Sequence, residues 1–466
     1  MSWRLSFIKK NSVLIDYLDV LVDYICTVEI FYVILHQCNI YFKEVISVYN
    51  RSMVPQTIKQ KIMTYMLKRY IPYVAIALMM AACTNDDVEL TPVIHGENYG
   101  QLDISDINPK TFSLDELSET IAENEVIPLD KADEHYEDFS ETWLADIAAE
   151  ADEVKEVVVT FTSDGVTLSS EKNLDVEKHG GHVVIKSEKK RIYRLTGTCE
   201  DGSVKIYSDK KYGIILDGLH LTNPNGAVIN LQKSIAEGSG KRCYMMIAAG
   251  TDNVLTDGAS YTDIVPGEDE KGCIFSEGKL LIGRTIDVTS TTPLDVGRLT
   301  VNAYGKNAIA CDDYVYLHQY SNIHINAWNG NGIKTNDGIF VGGGVCNVML
   351  YGDGGKGLAS EGEIAISGGR IAIVNDGLAV MEPADTSYAA CIKCDSTMTV
   401  TGGAVIMRSC KAPGSEGIIC KQEIRITDGM VRAYCYDNCL KAPVAYIADE
   451  RLVYLESING KAILLQ

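Results

Sequence analysis

A phrase that recurs at one length constrains this chain more than any other feature. Ala308-Ile309-Ala310-Cys311-Asp312-Asp313, Gly332-Ile333-Lys334-Thr335-Asn336-Asp337, Gly357-Leu358-Ala359-Ser360-Glu361 and Cys391-Ile392-Lys393-Cys394-Asp395 share an apolar centre followed by an acid or amide. The phrase fades through Gly417-Ile418-Ile419-Cys420-Lys421 and Cys439-Leu440-Lys441. A second phrase keeps step: Val341-Gly342-Gly343-Gly344, Ile366-Ser367-Gly368-Gly369, Val400-Thr401-Gly402-Gly403 and Ile426-Thr427-Asp428-Gly429. Positions 333, 358, 392 and 418 have the same spacings as 341, 366, 400 and 426, namely 25, 34 and 26. Two registers that drift together mean one structural unit per period. A period of this length, made of short β-prone runs and Gly turns, predicts a solenoid whose units bury a core only by stacking.

The runs are strand-like. In Arg370-Ile371-Ala372-Ile373-Val374 the period-two alternation turns Ile371 and Ile373 to one side and Arg370 and Ala372 to the other. No capping signal or 3.6-residue stripe stands out between residues 190 and 466. The expected fold is therefore all-β, a β-helix of parallel stacked coils with equivalent residues about 4.8 Å apart. A propeller, with repeats of about 40–50 residues, fits the period poorly. The 34-residue unit holds surplus residues between Gly369 and Cys391, placed at 381–388. Such insertions loop out on one face, either a binding face or a neutral surface loop.

The front of the chain differs. Met63 to Arg69 is basic, Ile71 to Ala82 is an apolar run of 12 residues, and Met80-Ala81-Ala82-Cys83 has the form of a lipobox with Met where Leu is usual. The order reads as a lipoprotein signal, too short to span a bilayer, with Cys83 lipidated after cleavage. Residues 1–62 are then either an over-called start or a membrane-associated extension. Thr84-Asn85-Asp86-Asp87 resembles the export signal of Bacteroidetes lipoproteins, which implies the outer membrane and cell surface. Residues 83–153 are read as an acidic tether and N-terminal cap, with a helix start at Ser113-Leu114-Asp115-Glu116, a shared face at Leu114, Leu117 and Ile121, and Trp143 and Leu144 as anchors. The solenoid is assigned to 154–466.

The chain has 42 basic and 63 acidic side chains; residues 1–82 hold 9 and 5 of them, leaving 33 against 58 beyond. A surface of that sign repels nucleic acid and anionic lipid, so the only expected membrane contact is the lipid anchor. Of 14 cysteines, Cys391 and Cys394 have a metal-like spacing but no accompanying His. In the repeat frame Cys394 falls in the column of Cys311, Thr335, Ser360 and Cys420, and Cys346 in that of Ile371 and Val405, so these read as buried core residues. A disulfide between Cys435 and Cys439, or across adjacent coils, is compatible with an oxidising exterior.

Chemistry is expected at two columns. Asp312, Asn336, Glu361 and Asp395 are equivalent, with Asp313 and Asp337 beside the first two, and stacked carboxylates repel unless a hard cation such as Ca2+ relieves them. Asp353, Asp376 and Asp437 form a second acidic set at turns; the alternative for all of them is solvated turn residues. Lys334 and Lys393 should point outward two coils apart, where they either pair with the acids, contact sugar carboxylates, or act as a base. Tyr316, Tyr320, Trp328 and Tyr351 are candidate sugar-stacking aromatics. No catalytic triad, phosphate loop, dinucleotide fingerprint or HExxH motif is present.

Further residues carry a resemblance: Tyr193-Arg194-Leu195-Thr196-Gly197-Thr198, then residues 213–223 and 246–261, then Lys271-Gly272-Cys273-Ile274-Phe275-Ser276-Glu277-Gly278, Cys311-Asp312-Asp313-Tyr314 and residues 331–338. This series, over about 155–440, resembles the bacterial carbohydrate-binding β-helix proteins of cellulose-degrading clostridia, in their Bacteroidetes lipoprotein form. The resemblance implies a right-handed parallel β-helix like that of pectate lyases. It also implies Ca2+ and binding of plant polysaccharide such as cellulose or polygalacturonate. The positions matching the family's calcium ligands are Asp312, Asp313, Asp337, Asp353 and Asp376. This chain departs at Gln319-Tyr320, where the family has Gly-Gly, at an insertion over 283–299, and at Lys421 in the acidic column. The expected function is surface-anchored, non-catalytic glycan binding. A calcium-dependent polysaccharide lyase and a structural or adhesive surface protein are the alternatives.

Overall fold

The computed structural model describes residues 104–117, 156–233, 242–262, 264–284, 297–318, 321–381 and 386–466. The readings of the start codon, signal peptide, Cys83, Ile121, Trp143, Leu144 and Tyr320 lie outside these residues. Among the described residues the protein is all-β, with two single-turn 3-10 helices, Leu114–Glu116 and Glu450–Leu452. None of its helices is long and apolar enough to cross a membrane.

The strands form sheets of 12 and 18 strands and one small hairpin. In the 12-stranded sheet, Asn307–Cys311, Ile333–Thr335, Leu358–Ser360, Ala389–Cys394, Ser415–Cys420 and Leu440–Ala442 pair in parallel and in register. The larger sheet holds two parallel ladders. One runs through Tyr314–Leu317, Gly338–Val341 and Glu363–Ile366, and the other through Asn322–Ala327, Val345–Leu350 and Arg370–Asn375. The long strands Thr397–Ser409 and Glu423–Cys435 belong to both ladders, bridged by register shifts. Each turn of the chain thus adds one strand to each of three ladders.

Residues at one repeat position therefore meet. Cys346, Ile371 and Val405 are successive partners, as are Ile333, Leu358, Ile392 and Ile418. All of them lie in one buried cluster that runs from Val157 to Ala442. The second phrase makes a corner: Gly344, Gly369, Gly403 and Gly429 all have φ between 72° and 81°. A side chain on Gly369 would also come within 2.5 Å of the Gly343 carbonyl carbon. Gly369→Ala is expected to cost about 1–3 kcal/mol, read as a lowered urea midpoint, because both conformation and space oppose a Cβ.

The stack departs from uniform parallel coils in three ways. Its first strands are antiparallel hairpins, Glu156–Thr162 with Gly165–Leu168 and Asp175–His179 with Gly181–Lys186. The surplus residues of the long repeat form the hairpin Val380–Met381 with Thr386–Ser387. The third departure concerns residues 104–117, read from sequence as part of an N-terminal cap. Ile104, Phe112 and Leu117 pack instead on the outward residues Ala372, Val374, Ala404 and Ile406 of later turns. Ser113 caps only a 3-10 turn, accepting from the Asp115 N–H at 3.3 Å. The Arg408 guanidinium fastens this strap, donating to the Phe112 carbonyl at 2.8 Å and lying over its ring. The strap hides Ala372, a residue that alternation places on the outside.

Candidate functional site

The expected metal ligands do not converge. Lys271 Nζ reaches Asp312 Oδ1 at 2.6 Å, and Asn336 Nδ2 approaches the same oxygen at 3.4 Å. Asp313 and Asp337 are neighbours, linked by Asp337 N–H to the Asp313 carbonyl at 3.2 Å. Burial raises the Asp313 pKa, and the ammonium of Lys279 opposes that rise. Asp353 accepts from the Leu378 N–H at 2.8 Å on a different corner of the stack, and Asp376 follows another strand of that ladder. Among the described residues no group of three or more His, Cys, Asp or Glu side chains is placed to hold a metal ion. Asp312, Asp313 and Asp337 thus lie on one corner of the stack and Asp353 and Asp376 on another, so the five positions sit in two groups. Like charges in the column are offset by lysines of neighbouring turns.

The lysines follow the same logic. Lys334 Nζ pairs with Glu361 at 2.8 Å; Lys393 sits 3.7 Å from Asp395, which Lys421 contacts at 2.6 Å. Lys334, Ala359 and Lys393 are successive partners, so the two lysines do lie two turns apart. This face is a ladder of alternating ion pairs.

The aromatic residues give the clearer site. Tyr316 is buried in an outward column with Tyr244, Leu281 and Phe340, so it offers no free surface. Trp328, by contrast, stacks on Tyr304 at 4.2 Å and 8° and on Tyr351 at 4.9 Å and 15°. These three follow the last residues of paired strands, and the Trp328 and Tyr351 N–H groups extend the ladder to Ala303 and Ala327. Tyr304, Trp328 and Tyr351 remain 41%, 36% and 44% exposed. The next turn places Asp376 rather than a ring at the position after Tyr351, its N–H on the Leu350 carbonyl. Burial raises the Tyr351 hydroxyl pKa, and the carboxylates of Asp115 and Asp376 add to the rise. An aromatic face with carboxylates at its border can pack against sugar C–H groups while accepting from hydroxyls.

Two further elements border this stack. The strap supplies Asp115, and the inserted hairpin stands over the turn after Tyr351. Lys356 Nζ binds Ser387 Oγ of the hairpin at 2.6 Å, and Met381 is 77% exposed. Sequence reading missed Tyr304, although its distance of 24 residues from Trp328 is one coil length and could have found it. It also missed Asp115 as a neighbour of Tyr351, for which no sequence signal exists.

Comparison with known proteins bears on this face. No curated protein matches the chain. Among solved structures it is similar to the polysaccharide lyase-like protein from C. thermocellum, determined as a gadolinium derivative. The two share 23% identity and a TM-score of 0.46, over 59% of this chain and 98% of that one. A family model described as carbohydrate-binding domain-containing protein matches residues 179–450, a stretch that holds the aromatic stack, both lysines and the acidic columns. With more than half of its length matched, the chain belongs to the carbohydrate-binding domain-containing protein family.

Proposed function

We propose that this protein is a surface-anchored, non-catalytic polysaccharide-binding β-helix that holds its glycan on the stack of Tyr304, Trp328 and Tyr351. The three ladders are read as faces of a right-handed coil, the hand taken in about 98% of parallel crossovers. The observation that carries the binding site is the exposed stack itself. Three large rings in a row on an outer corner leave apolar surface in water, and carboxylates stand at its end. The anchor rests on the basic, apolar and small-residue order ending at Cys83. The partner is a plant-type polysaccharide. Calcium is not part of this reading, because Lys271 and Lys279 already supply positive charge at the acidic column.

The test is affinity electrophoresis of residues 83–466 through gels cast with polygalacturonate, a soluble cellulose derivative or no polymer, with and without chelator. Retardation by a polymer, with no unsaturated uronide absorbance in the product, is expected. Chelator is expected to change neither mobility nor melting temperature. Chelator-sensitive retardation would restore calcium to the site. Release of unsaturated uronides would replace the binding reading with lyase chemistry.

A further inference from the structure

One inward column of the 12-stranded sheet carries hydroxyls and thiols over six successive turns. Ser276, Cys311, Thr335, Ser360, Cys394 and Cys420 are successive Cα partners. Where two hydroxyls are neighbours they bond, Thr335 Oγ1 to Ser360 Oγ at 2.9 Å. Two turns further on, both neighbours are thiols. Both sulfurs turn to backbone carbonyls of the same corner, Cys394 Sγ to Gly362 and Thr397 at 3.3 Å and Cys420 Sγ to Ser396 at 2.8 Å and Glu423 at 3.0 Å. In-register parallel partners lie about 4.8 Å apart, within the Cα separation of about 4.4–6.8 Å that a disulfide spans. Their Cβ atoms project from the same face of the sheet, so the two sulfurs lie on one side of adjacent strands. We infer that Cys394 and Cys420 are an oxidative modification site, closed to a disulfide by hydrogen peroxide, which staples two successive turns of the chain.

The pair is also chemically unequal. Interaction with the Cys394 thiol lowers the Cys420 pKa against the effect of burial, while that of Cys394 is raised. Cys420 is therefore the attacking sulfur. Its thiolate breaks the peroxide O–O bond, forming an S–O bond, and the departing hydroxide takes up the proton that Cys420 had released. The Cys394 sulfur then displaces the hydroxyl from Cys420, the S–O bond breaks, and a second water leaves with the Cys394 proton. Two thiols lose two electrons and two hydrogens, and one peroxide becomes two waters. Cys435 and Cys439 are a second pair of buried thiols. They lie four residues apart, however, so a link between them closes only a short loop, whereas 394 to 420 encloses a whole turn.

The full chain is reduced, treated with hydrogen peroxide, capped at remaining thiols, digested without reductant and read by mass spectrometry. The expected product is a peptide pair joined through Cys394 and Cys420, lighter by two hydrogens. A melting temperature raised by several degrees and restored by reductant should accompany it. Cys420→Ser, which places in this column the residue already present at Ser360, should abolish both changes, and Cys435→Ser should leave both. Recovery of Cys394 and Cys420 as capped thiols, sulfinic acid at Cys420 without a link, or a stabilising link at Cys435 and Cys439 would each overturn the assignment.

Discussion

Ile371→Asp is expected to unfold several turns of the stack at once. Ile371 is 1% exposed and lies between Cys346 and Val405 in the central cluster. A carboxylate there has no cation within the column and no water, so its ionised form is opposed on every side. The cost is about 4 kcal/mol or more, a large part of an ordinary domain's stability. Each turn buries its apolar face only against its neighbours, so loss spreads along the stack. Lys334→Ala is the matched control. Its ammonium is paired with the exposed Glu361, and the change should stay within about 0.5 kcal/mol. Urea denaturation of the two variants checks this, and equal midpoints would contradict the observed register.

The second large effect concerns the glycan. Trp328 is the middle ring of the exposed stack, so Trp328→Ala removes the central surface and leaves Tyr304 and Tyr351 without their shared partner. A central aromatic anchor is typically worth about 2 kcal/mol, so affinity should fall roughly 30-fold. Trp328→Phe, which keeps a ring, should recover most of the loss. Stability should change little, because the indole stands outside the core. Titration of a retained polymer into both variants measures this. Unchanged affinity in Trp328→Ala would remove the stack from the binding site, even if the protein still binds carbohydrate elsewhere.

These effects rest on features of different legibility. The sequence by itself determined the β class and the equivalences between repeats. Cys346 with Ile371 and Val405, and Cys394 with Thr335, Ser360 and Cys420, are partners in the ladders as their spacing required. The corner at Gly344, Gly369, Gly403 and Gly429 was equally plain, since only glycine suits that conformation against a neighbouring backbone. Such information is local and periodic, and stacking repeats it in space.

What the tertiary structure decided was everything that crosses columns or joins distant segments. The acidic column looked like a set of repelling carboxylates until Lys271 was seen to reach Asp312 from 41 residues away. The strap could be placed only by the packing of Phe112 near Ile406 and the grip of Arg408, 296 residues from the carbonyl it binds. Side-chain reach and the burial of one segment's apolar residues on another depend on the folded surface as a whole. No period in the chain encodes them, and that is why Asp115 beside Tyr351 emerged only from the fold.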